Sequence, residues 1–135
     1  MDKKWYVMKP SQMKTMDQGN TLRTWVLVTP EIGAKNLTTG ITEFQDGAAI
    51  PLHTHNCEEQ ITILAGSAVA EIDGVFHELE SPDTTFIPAG IPHRFLNRSG
   101  SPMKILWIYG SAEVYRTFVE TGQTVPHLEL GDKVV

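Results

Sequence analysis

The chain has 135 residues, 41% of them hydrophobic and 20% charged, with a formal net charge of −5. That is enough for one domain with a real core. It includes no basic cluster of the kind a nucleic-acid partner requires, and no stretch near the roughly 20 apolar residues of a membrane span. Two lysines near the start, in Met1-Asp-Lys-Lys-Trp-Tyr-Val, are followed by no apolar segment, so a cytoplasmic location is expected. Cys57 is the single cysteine, which excludes an internal disulfide and a CxxC site. No internal repeat is visible, and one domain is expected over residues 1–135.

In chain order, Trp5-Tyr-Val-Met8 reads as a short strand and Ser11 to Asn20 as a polar loop. Leu22 to Val28 is β-branched and aromatic, hence a strand, broken by Thr29-Pro-Glu-Ile-Gly33. These place N-terminal strands within 5–28. Leu37 to Phe44 is again strand-like, Gln45-Asp-Gly47 is a turn, and Ile50 to His55 is the next strand. Gln60 to Leu64 and Ser67 to Ile72 are strands joined at Ala65-Gly66. Asp73-Gly74, between AVAEI and VFHEL, predicts a type I′ hairpin turn returning as Val75 to Leu79. Thr85 to Ile87, His93 to Leu96 and Lys104 to Tyr109 complete a barrel core over about 37–110. Short strands at regular spacing indicate an all-β sandwich or barrel. In the arm, 111–135, Ser111 to Val119 fits either a short helix capped by Ser111 or a continued strand. Beyond Thr121 the chain is polar and Pro-broken, expected to lie on the barrel or on a partner.

Two blocks carry the chemistry. His53 and His55 are two apart, so on a strand both project from one face. Glu59 keeps that parity if the chain stays extended, and His93 comes from a distant strand. Convergence of His53, His55, Glu59 and His93 would hold one divalent transition metal, with Fe, Mn, Ni, Zn or Co suited to imidazole and carboxylate.

The spacing resembles the cupins. Their first motif is G, five residues, HxH, three or four residues, E, six residues, G, and Gly47, His53, His55, Glu59 and Gly66 fill every fixed position. Their second is G, five residues, PxG, two residues, H, three residues, N; Pro88, Gly90, His93 and Asn97 match, while Pro82 replaces the first glycine. Pro82-Asp83 can also make a turn. The matched stretch runs from residue 47 to 97, and its short inter-motif gap is that of small single-domain cupins. The resemblance implies a jelly-roll barrel (a double-stranded β-helix) with the metal in its mouth, and a homodimer, for which Trp5 and the C-terminal arm are candidate contacts.

Phe95 shares the inner face with His93, whereas Arg94 should leave the opposite one. Phe44, Phe95, Trp107 and Tyr109 are candidate pocket residues; core packing is the simpler role for Trp25, Phe44, Phe86, Trp107 and Tyr109. Glu58 and Gln60 point away from the metal by parity. His77, across the Asp73-Gly74 hairpin from Glu71, and His127, in the polar tail, read as surface histidines. Cys57 reads as a small buried hydrophobe. Cupin thiol dioxygenases use three histidines without a carboxylate, so Glu59 argues against that branch.

Four protein ligands leave one or two positions open on the metal. The expected function is a metal-dependent enzyme acting on a small organic molecule, either a dioxygenase or an isomerase, lyase or decarboxylase. Proton transfer would fall to water or to a residue such as Tyr109 or His77. The alternative is a cupin that binds or senses a small ligand through the metal. A purely structural role ranks last because all four ligands are present.

Overall fold

The structure, a computed structural model, describes residues 3–127. Two six-stranded antiparallel sheets face each other as a jelly roll. The first runs β1 (Met16–Gln18), β2 (Leu22–Val26), β3 (Thr38–Phe44), β10 (Met103–Tyr109), β5 (Glu59–Ala65), β8 (Thr84–Ile87). The second runs β12 (Thr124–Pro126), β11 (Tyr115–Phe118), β4 (His53–His55), β9 (His93–Leu96), β6 (Ser67–Ile72), β7 (Val75–Glu80). Short 3₁₀ turns at Pro10–Gln12 and Pro30–Ile32 are the helical pieces. Among the described residues no helix is long and apolar enough to cross a membrane.

The period of two decides which side chains enter. Along β10, Met103, Ile105, Trp107 and Tyr109 are buried and the residues between them half-buried. They meet Phe44, Ile61 and Ile63 from the same sheet and Ala68, Ala70 and Phe95 from the other. The Trp107 indole lies over β3 at Gly40, where a Cβ would overlap its ring. Its Nε1 donates to Thr42 Oγ1 at 2.9 Å, and Thr42 bonds Thr24 at 2.9 Å, so the buried polar atoms of this layer are satisfied.

Turn chemistry fixes the corners. Asp73 and Gly74 have φ of 51° and 81°, as the expected type I′ turn requires. Gly66 carries the chain from one sheet to the other with φ 74°, and a Cβ there would stand 2.7 Å from Pro102 O. Asn97 is fully buried. Its amide donates to Phe44 O at 3.0 Å and Ser101 O at 2.7 Å and accepts from Ser99 N at 3.1 Å. This motif asparagine therefore ties the turn after β9 to the end of β3. At the Pro82 position the Ser81–Pro82 bond is cis, and Asp83 Oδ2 accepts from Glu80 N at 2.9 Å, so a proline turn replaces the family glycine.

Several expectations need correction. Trp5 to Met8 forms no strand, and Trp5 is 83% exposed. The first strand is β1, inside the stretch expected to be a loop. Met16–Gln18 gains a ladder from β2 through a tight turn at Gly19, whereas the apolar run at Trp5 has no neighbouring strand among the described residues. Phe86 is not core: its neighbours on β8 turn inward and it stands 63% exposed. Between the alternatives for 111–119, the chain makes a strand, β11, which pairs with β4 and with β12. The remainder of the expected arm, residues 128–135, lies outside the described residues.

Candidate metal centre

Strand register builds the site across both sheets. In the second sheet β4 and β9 set His53 directly opposite His93. His55 follows on the same face of β4, two residues on, and all three histidines are buried. In the first sheet Glu59 opens β5 opposite Tyr109 of β10, and it too is buried. Glu58 and Gln60 on either side of it are exposed. The structure thus brings His53, His55, Glu59 and His93 to one point.

Each imidazole is oriented by its other nitrogen. His53 Nδ1 bonds Pro51 O at 2.7 Å, His93 Nδ1 bonds Ile91 O at 2.8 Å, and His55 Nδ1 bonds Tyr115 O at 2.9 Å. A carbonyl only accepts, so each Nδ1 carries the proton and each Nε2 keeps its lone pair. One ring nitrogen from each histidine lies within 4.8 Å of the others. Glu59 Oε1 is 2.5 Å from His93 Nε2, and Oε2 is 3.7 Å from His55 Nε2. Glu59 Oε1 and His93 Nε2 make no aligned hydrogen bond, although both are out of solvent contact. Buried polar atoms left this way cost about 1–3 kcal/mol each. Lone pairs converging on one point, with backbone carbonyls fixing the far nitrogens, fit a divalent ion bound by imidazole and carboxylate.

The electrostatics agree with that fit. Burial holds the His53 imidazole well below its usual pKa, helped by the positive charge of Arg116. His55 is lowered to about 4, again chiefly by burial, against the opposing pull of Glu59. Glu59 is kept below the ordinary carboxylate range: burial pushes it upward, but the close His93 and His55 imidazoles and the Arg116 guanidinium outweigh that. At neutral pH His53 and His55 are therefore neutral beside an ionised Glu59, the protonation states that bind metal. The Cys57 thiol is raised by burial and by Glu59. It is half-buried against the core and stands outside the histidine cluster.

The cavity beside this point has a volume of about 40 Å³, room for about three water-sized groups. Phe44, Phe95, Trp107 and Tyr109 all line it. Tyr109 Oη is 3.3 Å from His55 Nε2 and 3.4 Å from His127 Nε2.

His127 is not the surface histidine the sequence led us to expect. The β11–β12 hairpin folds it back, and its ring packs edge-on against Trp107 at 5.0 Å and Tyr109 at 4.9 Å. Burial holds this imidazole well below its usual pKa. Arg116, unmarked in the sequence analysis, is buried opposite His55 and lines the cavity. Its signal was an arginine in phase with Val114 and Phe118; that of His127 was its phase with Val125. His77 is exposed on the edge strand β7, on the outside of the barrel, and is in no position to move a proton at the site. Arg94 leaves the opposite face and bonds Glu71 at 2.7 Å.

Comparison with known proteins agrees with the architecture. The family profile described as a cupin domain matches residues 40–109. The chain is 30% identical over 82 residues to the dimethylsulfoniopropionate lyase DddW of Ruegeria pomeroyi, a match covering 61% of this chain and 52% of that protein. This chain thus spans about half the length of that curated relative. Among solved structures it resembles the polyketide cyclase RemF of Streptomyces resistomycificus, with TM-score 0.73, 21% identity, and 96% and 89% of the two chains covered. A predicted oxalate decarboxylase of Thermotoga maritima gives TM-score 0.71 and 20% identity over 78% of this chain and 99% of that one. Likeness at such identities shows the fold alone.

Proposed function

The chain belongs to the cupin domain family, and from that membership we propose that it is a metal-dependent enzyme carrying out redox-neutral proton-transfer chemistry, of the lyase, isomerase or decarboxylase class, on a small organic molecule. His53, His55, Glu59 and His93 would hold one divalent transition metal. The observation that carries this reading is the convergence of three Nε2 lone pairs, each fixed by an Nδ1 bond to a backbone carbonyl. When bound, the metal would act as a Lewis acid, polarising a carbonyl or carboxylate oxygen.

The chain's own residues supply the rest. Tyr109 Oη, beside the metal point, is the group that would give or take a proton on the substrate. His127 Nε2 borders the same hydroxyl and can accept from it or donate to it. Trp107, Phe44 and Phe95 line the cavity beside it with largely apolar surface. Tyr109 is also the specific reason to place proton transfer first. The names of the relatives, a lyase, a cyclase and a decarboxylase, point the same way.

The test begins with metal content of tag-free protein purified without a nickel column, since nickel or copper can displace a weaker native ion. About one equivalent should be present in the wild type and in Tyr109→Phe, and should be lost in His55→Ala. On a substrate found by screening small acids and enolisable carbonyls, Tyr109→Phe should lower kcat about 10²–10⁴-fold. Full metal in His55→Ala would refute the ligand assignment. Substrate-dependent oxygen uptake would move the chemistry to a dioxygenase, and a tight ligand recovered unchanged would leave a binding module.

A further inference from the structure

We propose that a second groove, which shares His127 with the metal-side cavity, binds an uncharged and mostly apolar small molecule through a hydroxyl group, with His127 Nδ1 as its polar anchor. The groove has a volume of about 530 Å³, against about 40 Å³ for the cavity at the metal point. That is an ordinary size for a small-molecule site. Met16, Val26, Pro30, Val114 and Pro126 give it apolar walls. Every described residue lining it falls before residue 40 or after residue 109, outside the stretch that the cupin profile matches. The groove is therefore built by the segments on either side of the family core and does not follow from the barrel motifs. One imidazole, that of His127, is common to both walls.

The anchor is an unmet hydrogen bond. His127 Nε2 borders Tyr109 Oη at 3.4 Å, whereas Nδ1 is out of solvent contact and has no hydrogen-bond partner. Buried polar atoms left in that state are rare, and a ligand atom is one way to satisfy them. Burial, and after it the charge of Arg116, holds this imidazole well below its usual pKa, so at neutral pH the ring has one N–H and one bare nitrogen. A hydroxyl both donates and accepts, so it pairs with Nδ1 whichever nitrogen carries the proton. A carbonyl or an ammonium group serves only one of the two forms. Charge narrows the class further. Glu31 and Glu113 stand in the groove wall, and among the described residues that wall has no lysine or arginine, so an anion is repelled. The field of Arg116 that disfavours a proton on His127 also disfavours a cation held against the same ring. An uncharged molecule meets neither penalty, and its apolar body finds apolar walls.

The experiment titrates the full chain as purified with benzyl alcohol, benzylamine and benzoate, followed by ¹H–¹⁵N spectra of the backbone and of the histidine rings. Benzyl alcohol should shift the amides of Val26, Thr38 and Val114 together with His127 Nδ1. Benzylamine, a cation, and benzoate, an anion, should each bind at least about tenfold more weakly. His127→Phe, which keeps a flat ring without its nitrogens, should weaken the alcohol about fivefold or more, the loss expected of one hydrogen bond. Ala112→Trp, from the groove wall, should abolish binding. The proposal is overturned if benzyl alcohol leaves these amides unmoved, if either charged analogue binds as well, or if His127→Phe binds the alcohol like the wild type. Should His127→Phe fail to fold, an unmoved His127 Nδ1 or full binding by Ala112→Trp refutes it. The groove needs no metal, so its failure and that of the metal-dependent reading are separate results.

Discussion

The buried imidazoles should make the metal-free protein acid-labile in a defined window. His55 titrates near 6.5 when unfolded and at about 4 in the folded chain. Between those values the unfolded state holds more protons, so stability falls as pH falls. The contribution is fully present above about 6.5 and fully lost below about 4. At pH 5, linkage for this one group gives a loss of about 2 kcal/mol relative to pH 7. His53 and His127 are lowered in the same direction and add to it. Glu59, whose folded pKa is lowered from 4.5, has the same sign but acts at the acid end of the window. Its stabilisation is present above its unfolded pKa and disappears as pH drops through the folded one. Urea unfolding of chelator-treated protein reads this directly. With a slope of about 2 kcal/mol per molar, the midpoint should drop by about 1 M or more from pH 7 to pH 5. An unchanged midpoint would refute the claim that these imidazoles are buried and neutral. Saturating zinc should raise the pH 7 midpoint, because ligand that binds only the folded state stabilises it.

Asn97→Ala should destabilise by about 2–4 kcal/mol, since it leaves the Phe44 carbonyl without its buried donor and frees the turn at Ser99 and Ser101. Thermal melting should fall by about 10 °C, with metal stoichiometry retained in the folded fraction; a change under 2 °C would show that the motif asparagine has another role. Trp5, Tyr6 and Val7 are 83%, 50% and 70% exposed, an apolar segment that a second copy would cover. Light scattering at about 10 µM should therefore give twice the chain mass, and deletion of residues 2–8 should return one chain mass; a wild-type monomer would refute the contact.

What the sequence revealed follows from the range of each signal. Strand parity is local, so HxH at 53 and 55 announced a shared face without knowledge of any partner strand. Asp73-Gly74 announced its hairpin because the turn's backbone angles admit few residue pairs. The facing of His53 and His93 depends on pairing between strands forty residues apart, and only the fixed spacing of a family motif could stand in for it. Phe86 misled because an aromatic on a strand has the same local signature on either face. Trp5 to Met8 misled for a related reason: apolar composition favours a strand, but a ladder needs a neighbour.

The C-terminal hairpin is the part of the site whose parity signal, faint in a polar stretch, was passed over, and its attachment explains why it belongs there. Asn56, between His55 and Cys57, accepts from Tyr115 N at 2.7 Å and donates to Glu113 O at 2.9 Å. The same tyrosine returns its carbonyl to His55 Nδ1 at 2.9 Å. One peptide unit of β11 thus fixes a motif histidine while the next side chain, Arg116, enters the cavity. Orientation of His55 and delivery of Arg116 and His127 are consequences of a single docking event. A chain lacking the hairpin would keep the histidine spacing that identifies the family. It would lose the carbonyl that sets one tautomer and the Arg116 and His127 side chains from the cavity wall, so the motif alone places the histidines and the hairpin completes the wall around them.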